Sequence, residues 1–129
     1  MPQENLLSAV ISDADKTNIQ NSISSIQTTL APVLTHALTP DDRRALVKMG
    51  DKSISFVQKA LDYAGSNPAL VPAFLDLAEA KKDLALSADL HQLYNQLNAL
   101  ATAVEDALLL AGSEAYDGAL IFYNAYLIF

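Results

Sequence analysis

A chain of 129 residues, 51% of them apolar and only four of them glycine, is long enough to bury a core and too hydrophobic to be disordered. It contains no cysteine, which excludes disulfides, thiolate nucleophiles and cysteine-ligated zinc or iron–sulfur centres. The formal charge of −7 is unevenly placed: every basic residue lies between Lys16 and Lys82, and from Asp83 onward there is no Lys or Arg at all.

Apolar residues recur at the helical period of 3.6, and strand-like alternation is nearly absent, so helices are expected throughout. Residues 1–12 have no basic leader, which argues against a secretory signal. They suit either one short amphipathic turn through Leu6, Leu7, Val10 and Ile11 or an arm that docks on a neighbour. A first long helix is expected from Ser12 or Asp13, both good N-caps, with Asp15 near the positive end of the dipole. Ile19, Ile23, Ile26, Leu30, Val33 and Leu34 make its apolar stripe. Pro32 lacks a backbone donor and predicts a kink or break there.

Thr39, Pro40, Asp41 and Asp42 form the clearest helix start: a capping hydroxyl, proline at the first position and two carboxylates. The helix they open is expected to run to about Ala64, with Leu46, Val47, Ile54, Val57 and Leu61 inward, Gly50 on the same face, and Gly65 as a left-handed stop. Residues 66–76 read as a connection punctuated by Pro68 and Pro72, with a short turn after Asn67. Leu70, Val71, Phe74 and Leu75 would fold it over one end of the bundle. A third helix is expected from Asp76 to Ala111. Its residues Leu86, Leu90, Leu93, Leu97, Leu100, Val104, Ala107 and Ala111 follow the spacing of coiled coils. Gly112 and Ser113 then predict a bend, with Ser113 capping a last helix. That helix is apolar on two sides, through Tyr116, Leu120, Tyr123 and Leu127 and through Ala119, Phe122, Tyr126 and Phe129. The apolar run over residues 119–129 is about half of what a membrane-crossing helix needs. The cytoplasm is the default location.

Chemistry is harder to find. A di-metal bundle site needs Glu-x-x-His on two helices, but Val33 precedes His36 by three residues and Ala88 precedes His91. As axial haem ligands the two histidines lack any supporting motif, and His36 equally suits the end of the first helix. No hydroxyl sits in a nucleophile motif, no glycine-rich phosphate loop exists, and Glu79 is placed for an i,i+3 pair with Lys82. Arg44, Lys48, Lys52 and Lys59 are the only basic row, with Asp51 and Asp62 beside it, so nucleic-acid binding is not expected.

The unusual feature is where charge is missing. Residues 17–35 carry none, and residues 90–104 none apart from His91; the polar positions there are Ser, Thr, Asn and Gln. Uncharged polar side chains can be buried at modest cost once hydrogen-bonded, and interface cores are depleted in charge. The candidate interface is therefore Ile19, Ile23, Ile26, Leu30, Gln92, Asn95, Gln96, Phe122, Tyr126 and Phe129.

The runs 38–44, 49–52 and 67–72, with 110–116 beyond them, resemble a group of small uncharacterised bacterial proteins, over roughly residues 38 to 124. The resemblance implies an all-helical fold, no particular chemistry, and chains that continue past the equivalent of Phe129.

The expectation is thus one all-α domain over residues 1–129, an elongated antiparallel bundle of about four helices with residues 1–12 as a candidate arm. It is expected to be non-enzymatic and without cofactor, working by helix–helix packing with protein, foremost other copies of itself, in self-assembly or a structural role. The alternative is a small apolar or aromatic ligand held in the interior by Phe74, Tyr94, Tyr116, Phe122 and Tyr123.

Overall fold

The computed structural model describes residues 5–127. It is 76% helical with no strand among the described residues, which makes the chain an all-α helical bundle protein. The order is α1 (Asp13–Leu30), α2 (Pro40–Ala45), α3 (Asp51–Ser66), a 3-10 turn (Pro68–Leu70) and α4 (Leu77–Leu127). The chain divides into two compact units, Met1–Leu46 with Leu110–Phe129, and Val47–Leu109.

In the first unit, α1 begins where its cap predicts. The Ser12 side chain accepts the Asp15 N–H at 3.1 Å, and Asp13 and Asp15 stand in the first turn. It ends at Leu30, and Pro32 accounts for the stop: the Ala31 N–H tightens onto the Thr28 carbonyl, and Val33 and Leu34 both donate to Leu30. The break option is the one realised, so Val33 and Leu34 lie outside the helix. Residues 5–12 form no helical turn.

The start at Thr39 is also realised, as a full capping box. The Asp42 N–H donates to the Thr39 hydroxyl and the Thr39 N–H to the Asp42 carboxylate, each at 3.1 Å. Hydrogen bonding to the carboxylate from the Thr39 main chain foremost, and from the Thr39 side chain, holds the Asp42 carboxyl below the usual carboxylate range. The expected continuation to Ala64 is not realised. Helix α2 stops at Ala45, Leu46 is extended with ψ 139°, and Gly50 caps a new helix from outside instead of lying on a helix face. Gly50 costs about 1 kcal/mol relative to Ala inside a helix. Starting afresh also puts the Asp51 carboxylate at a positive dipole end.

The second unit is built from α3 and the first part of α4. Gly65 does not end α3, because no described glycine has a positive φ; the helix runs to Ser66. Asn67 stops it instead, its main-chain N–H donating to the Ala64 carbonyl at 3.2 Å and its side-chain amide to Tyr63 at 2.9 Å. The connection then turns at Pro68 and Pro72, and Phe74 projects from it at 93% exposure and folds over nothing. Asp76 caps α4, accepting the Glu79 N–H at 3.0 Å, and Glu79 makes the expected pair with Lys82 at 3.5 Å. The two helices are antiparallel: Gly65 lies under Lys81, while Ile54 shares a cleft with His91. The Lys81 ammonium lies over Gly65: an added Cβ would stand 2.5 Å from its Nζ, which the flexible lysine side chain could relieve by shifting. The ammonium thus meets the negative end of the α3 dipole.

The bend at Gly112 and Ser113 is not realised either. Helix α4 passes through both and continues to Leu127, 51 residues in all. One interior glycine is a small penalty against flanking Leu109, Leu110, Ala111 and Ala115, which are strong helix formers.

Candidate interaction faces

No described residue is buried, in either unit. The covered positions are half-buried, and they trace where elements meet. In the second unit they include Val57, Leu61 and Ala64 on α3 and Leu77, Ala80, Leu84 and Ser87 on α4. That α4 face is offset from the coiled-coil-like stripe read in the sequence. Of that stripe only Leu90 and Leu93 are half-buried, while Leu86, Leu97, Leu100 and Val104 are exposed.

The sequence-derived interface residues lie on exposed helix surface. On α1, Ile19, Ile23 and Ile26 are exposed and Leu30 is half-buried, at spacings that place them on one stripe. On α4, Gln92, Asn95 and Gln96 are exposed. Phe122 and Tyr126 are exposed too, their rings stacked one turn apart with centroids 6.4 Å apart and planes at 22°. Phe129 lies outside the described residues. None of the alternative pocket residues is among those lining the two clefts along α3 and α4. Phe74, Tyr94, Tyr116, Phe122 and Tyr123 are all exposed; the first two belong to the second unit and the other three to the first.

Clefts instead run along both sides of the α3–α4 pair. One of about 250 Å³ is lined by Met49, Asp51, Ile54, Leu84, Ala88, Ser87 and His91; another of about 370 Å³ lies between Gln58, Leu61, Lys81 and Ala85. Asp51, Ser87 and His91 are the residue types of nucleophilic catalysis, and Ser87 and His91 share an α4 face. No hydrogen bond joins the three. The other histidine, His36, belongs to the first unit and pairs its Nδ1 with the Thr35 hydroxyl at 3.0 Å. Among the described residues no group of three or more His, Asp or Glu is arranged to hold a metal ion. No helix among them is long and apolar enough to cross a membrane.

The contact that sequence reasoning missed is at Glu114. Its carboxylate accepts the main-chain N–H of Leu6 at 3.0 Å and of Leu7 at 3.1 Å. In the sequence Glu114 reads as a first-turn residue behind a Ser113 cap. Nothing local signals a partner more than a hundred residues away.

Comparison with protein-family models, with curated proteins and with solved structures gave no match for this chain.

Proposed function

We propose that this protein acts through helix–helix packing against further copies of itself, as a non-enzymatic assembling or structural protein. One observation carries the reading: no described residue is buried, although half of the chain is apolar. Each half-covered Leu or Ile that passes from water into a packed interface contributes about 25 cal/mol per Å² of apolar surface removed. A second copy is the partner that supplies matching stripes, and homo-oligomers with closed symmetry are the common outcome. The charge-free runs over residues 17–35 and 90–104 support the same reading, because covering them leaves no Lys or Glu without water.

Light scattering and sedimentation across a wide concentration range test it. The expected result is a mass well above 13.8 kDa that grows with concentration. Ile26→Asp and Leu97→Asp should each lower it if the α1 stripe and the exposed α4 stripe are the packing faces. A helical monomer at every concentration would overturn the proposal.

A further inference from the structure

Helix α3 has an outer face that its pairing with α4 does not use. Lys52, Phe56, Lys59 and Tyr63 follow one another at spacings of four, three and four, which makes one stripe on the far side of the helix from Val57, Leu61 and Ala64. Phe56 is 71% and Tyr63 63% exposed, and neither lysine has an ion-pair partner among the described residues. Asp51 and Asp62 stand roughly a quarter turn to one side of the stripe.

The same unit holds a second bare surface, on α4. The α4 residues that share clefts with α3 end at His91, and residues 94–109 are exposed without exception. That stretch has the length of α3, which is 16 residues long. Tyr94, Leu97, Ala101, Glu105 and Leu108 share one face of it, and its only charges are Glu105 and Asp106, neither ion-paired among the described residues. One surface is aromatic and basic, the other largely aliphatic and acidic.

We propose that the outer face of α3 in one copy packs on residues 94–109 of α4 in a second copy. The proposal rests on the self-assembly reading given above and names its contact. Laid end to end and antiparallel, the two segments set Phe56 level with Val104 and Tyr63 level with Leu97. Glu105 then falls level with Ser55, about one turn from both Lys52 and Lys59. The parallel alignment sets Glu105 level with Asp62 and Tyr63 level with Asp106, so charge and apolar matching both select the antiparallel one. The two surfaces are different patches of one chain, so the contact is head-to-tail and repeats around a ring or along a filament.

The test uses the full chain and two double variants at exposed positions, Lys52→Glu with Lys59→Glu and Glu105→Lys with Asp106→Lys, with circular dichroism as a check on helicity. Sedimentation at low salt reads assembly. Each variant alone should self-associate about 10-fold more weakly than wild type, because like charges then face each other. Mixed one to one, the two should associate about as tightly as wild type, since every contact between them joins opposite charges. Undiminished association of each variant alone would remove this contact and leave self-assembly standing, as would a loss that mixing does not recover. A wild type that stays monomeric would remove the contact and the self-assembly reading together. Lysines interleaved with aromatic rings also suit a single strand of nucleic acid, so a labelled oligonucleotide is titrated alongside. If it bound wild type and lost affinity in the lysine variant while self-association did not change, the stripe would belong to nucleic acid and the proposal would fall.

Discussion

Asp42 is a surface carboxylate with a defined structural task. Its two bonds with Thr39 close the first turn of a helix only six residues long, too short to persist without such help. Because the hydrogen bonds that the Thr39 main chain and side chain give to its carboxylate hold its folded-state pKa below the ordinary value, the stabilisation they give is present above that ordinary value, about 4. It is lost as pH falls through the lowered folded value. The Thr39 amide resonance should therefore titrate below the normal carboxylate range, and Asp42→Asn should abolish the titration; a midpoint at or above that range would contradict the cap. Gly112 gives a second residue-scale prediction. Nothing stands within 4 Å of a Cβ added there, and its φ is not positive. Gly112→Ala should raise stability by about 0.5–1 kcal/mol in a thermal melt followed by circular dichroism. A loss of stability would mean that the chain needs a bend at this point.

At the scale of elements, the second unit depends on Leu84, which lines the clefts on both sides of the α3–α4 pair and is half-buried between them. Leu84→Ala should cost about 1–2 kcal/mol, less than the ~2–5 kcal/mol of a fully buried leucine, because part of the side chain is already in water. Leu100→Ala, on the exposed stripe of the same helix, should change a dilute, non-associated sample by less than Leu84→Ala does. Both changes are read from urea titrations. These two leucines also mark how far the sequence could be read. Helix starts were legible, since Ser12, Thr39 and Asp76 cap through their own side chains at short range. Stops were legible only at Pro32, where a donor is missing outright. Gly50, Gly65 and Gly112 looked like equivalent punctuation, yet one lies just outside a helix and two lie within helices. An interior glycine costs only about 1 kcal/mol, an amount that neighbouring residues and tertiary contacts decide. Which α4 stripe meets α3 was not legible either, because the face with Ala80, Leu84 and Ser87 is less apolar than the leucine stripe beside it. The arm's attachment to Glu114 depends on a contact distant in sequence, and no local pattern encodes it.

For the molecule as a whole, the surface is the decisive quantity. Neither unit buries any of its described residues, whereas a compact protein of 13.8 kDa removes well over half of its chain's surface from water. The pairs Lys16–Asp13, Arg44–Asp41 and Lys82–Glu79 do not replace that burial: all are exposed and three residues apart, each worth a few tenths of a kcal/mol. If further copies supply the missing burial, stability must depend on protein concentration, since anything that binds the folded state and not the unfolded one shifts the equilibrium by mass action. For a dimer that unfolds to two chains, a tenfold rise in concentration adds about 1.4 kcal/mol per dimer, or about 3–6 °C in Tm for an assembly of this size. Thermal melts at three or four concentrations spanning two decades measure this directly. Ile26→Asp or Leu97→Asp should flatten the dependence without abolishing helicity in concentrated samples, because each variant weakens one stripe and leaves the caps at Ser12, Thr39 and Asp76 untouched. A wild-type Tm that stays constant across those decades would mean that the exposed stripes are stable in water as they stand. Self-assembly would then have no thermodynamic basis in this chain.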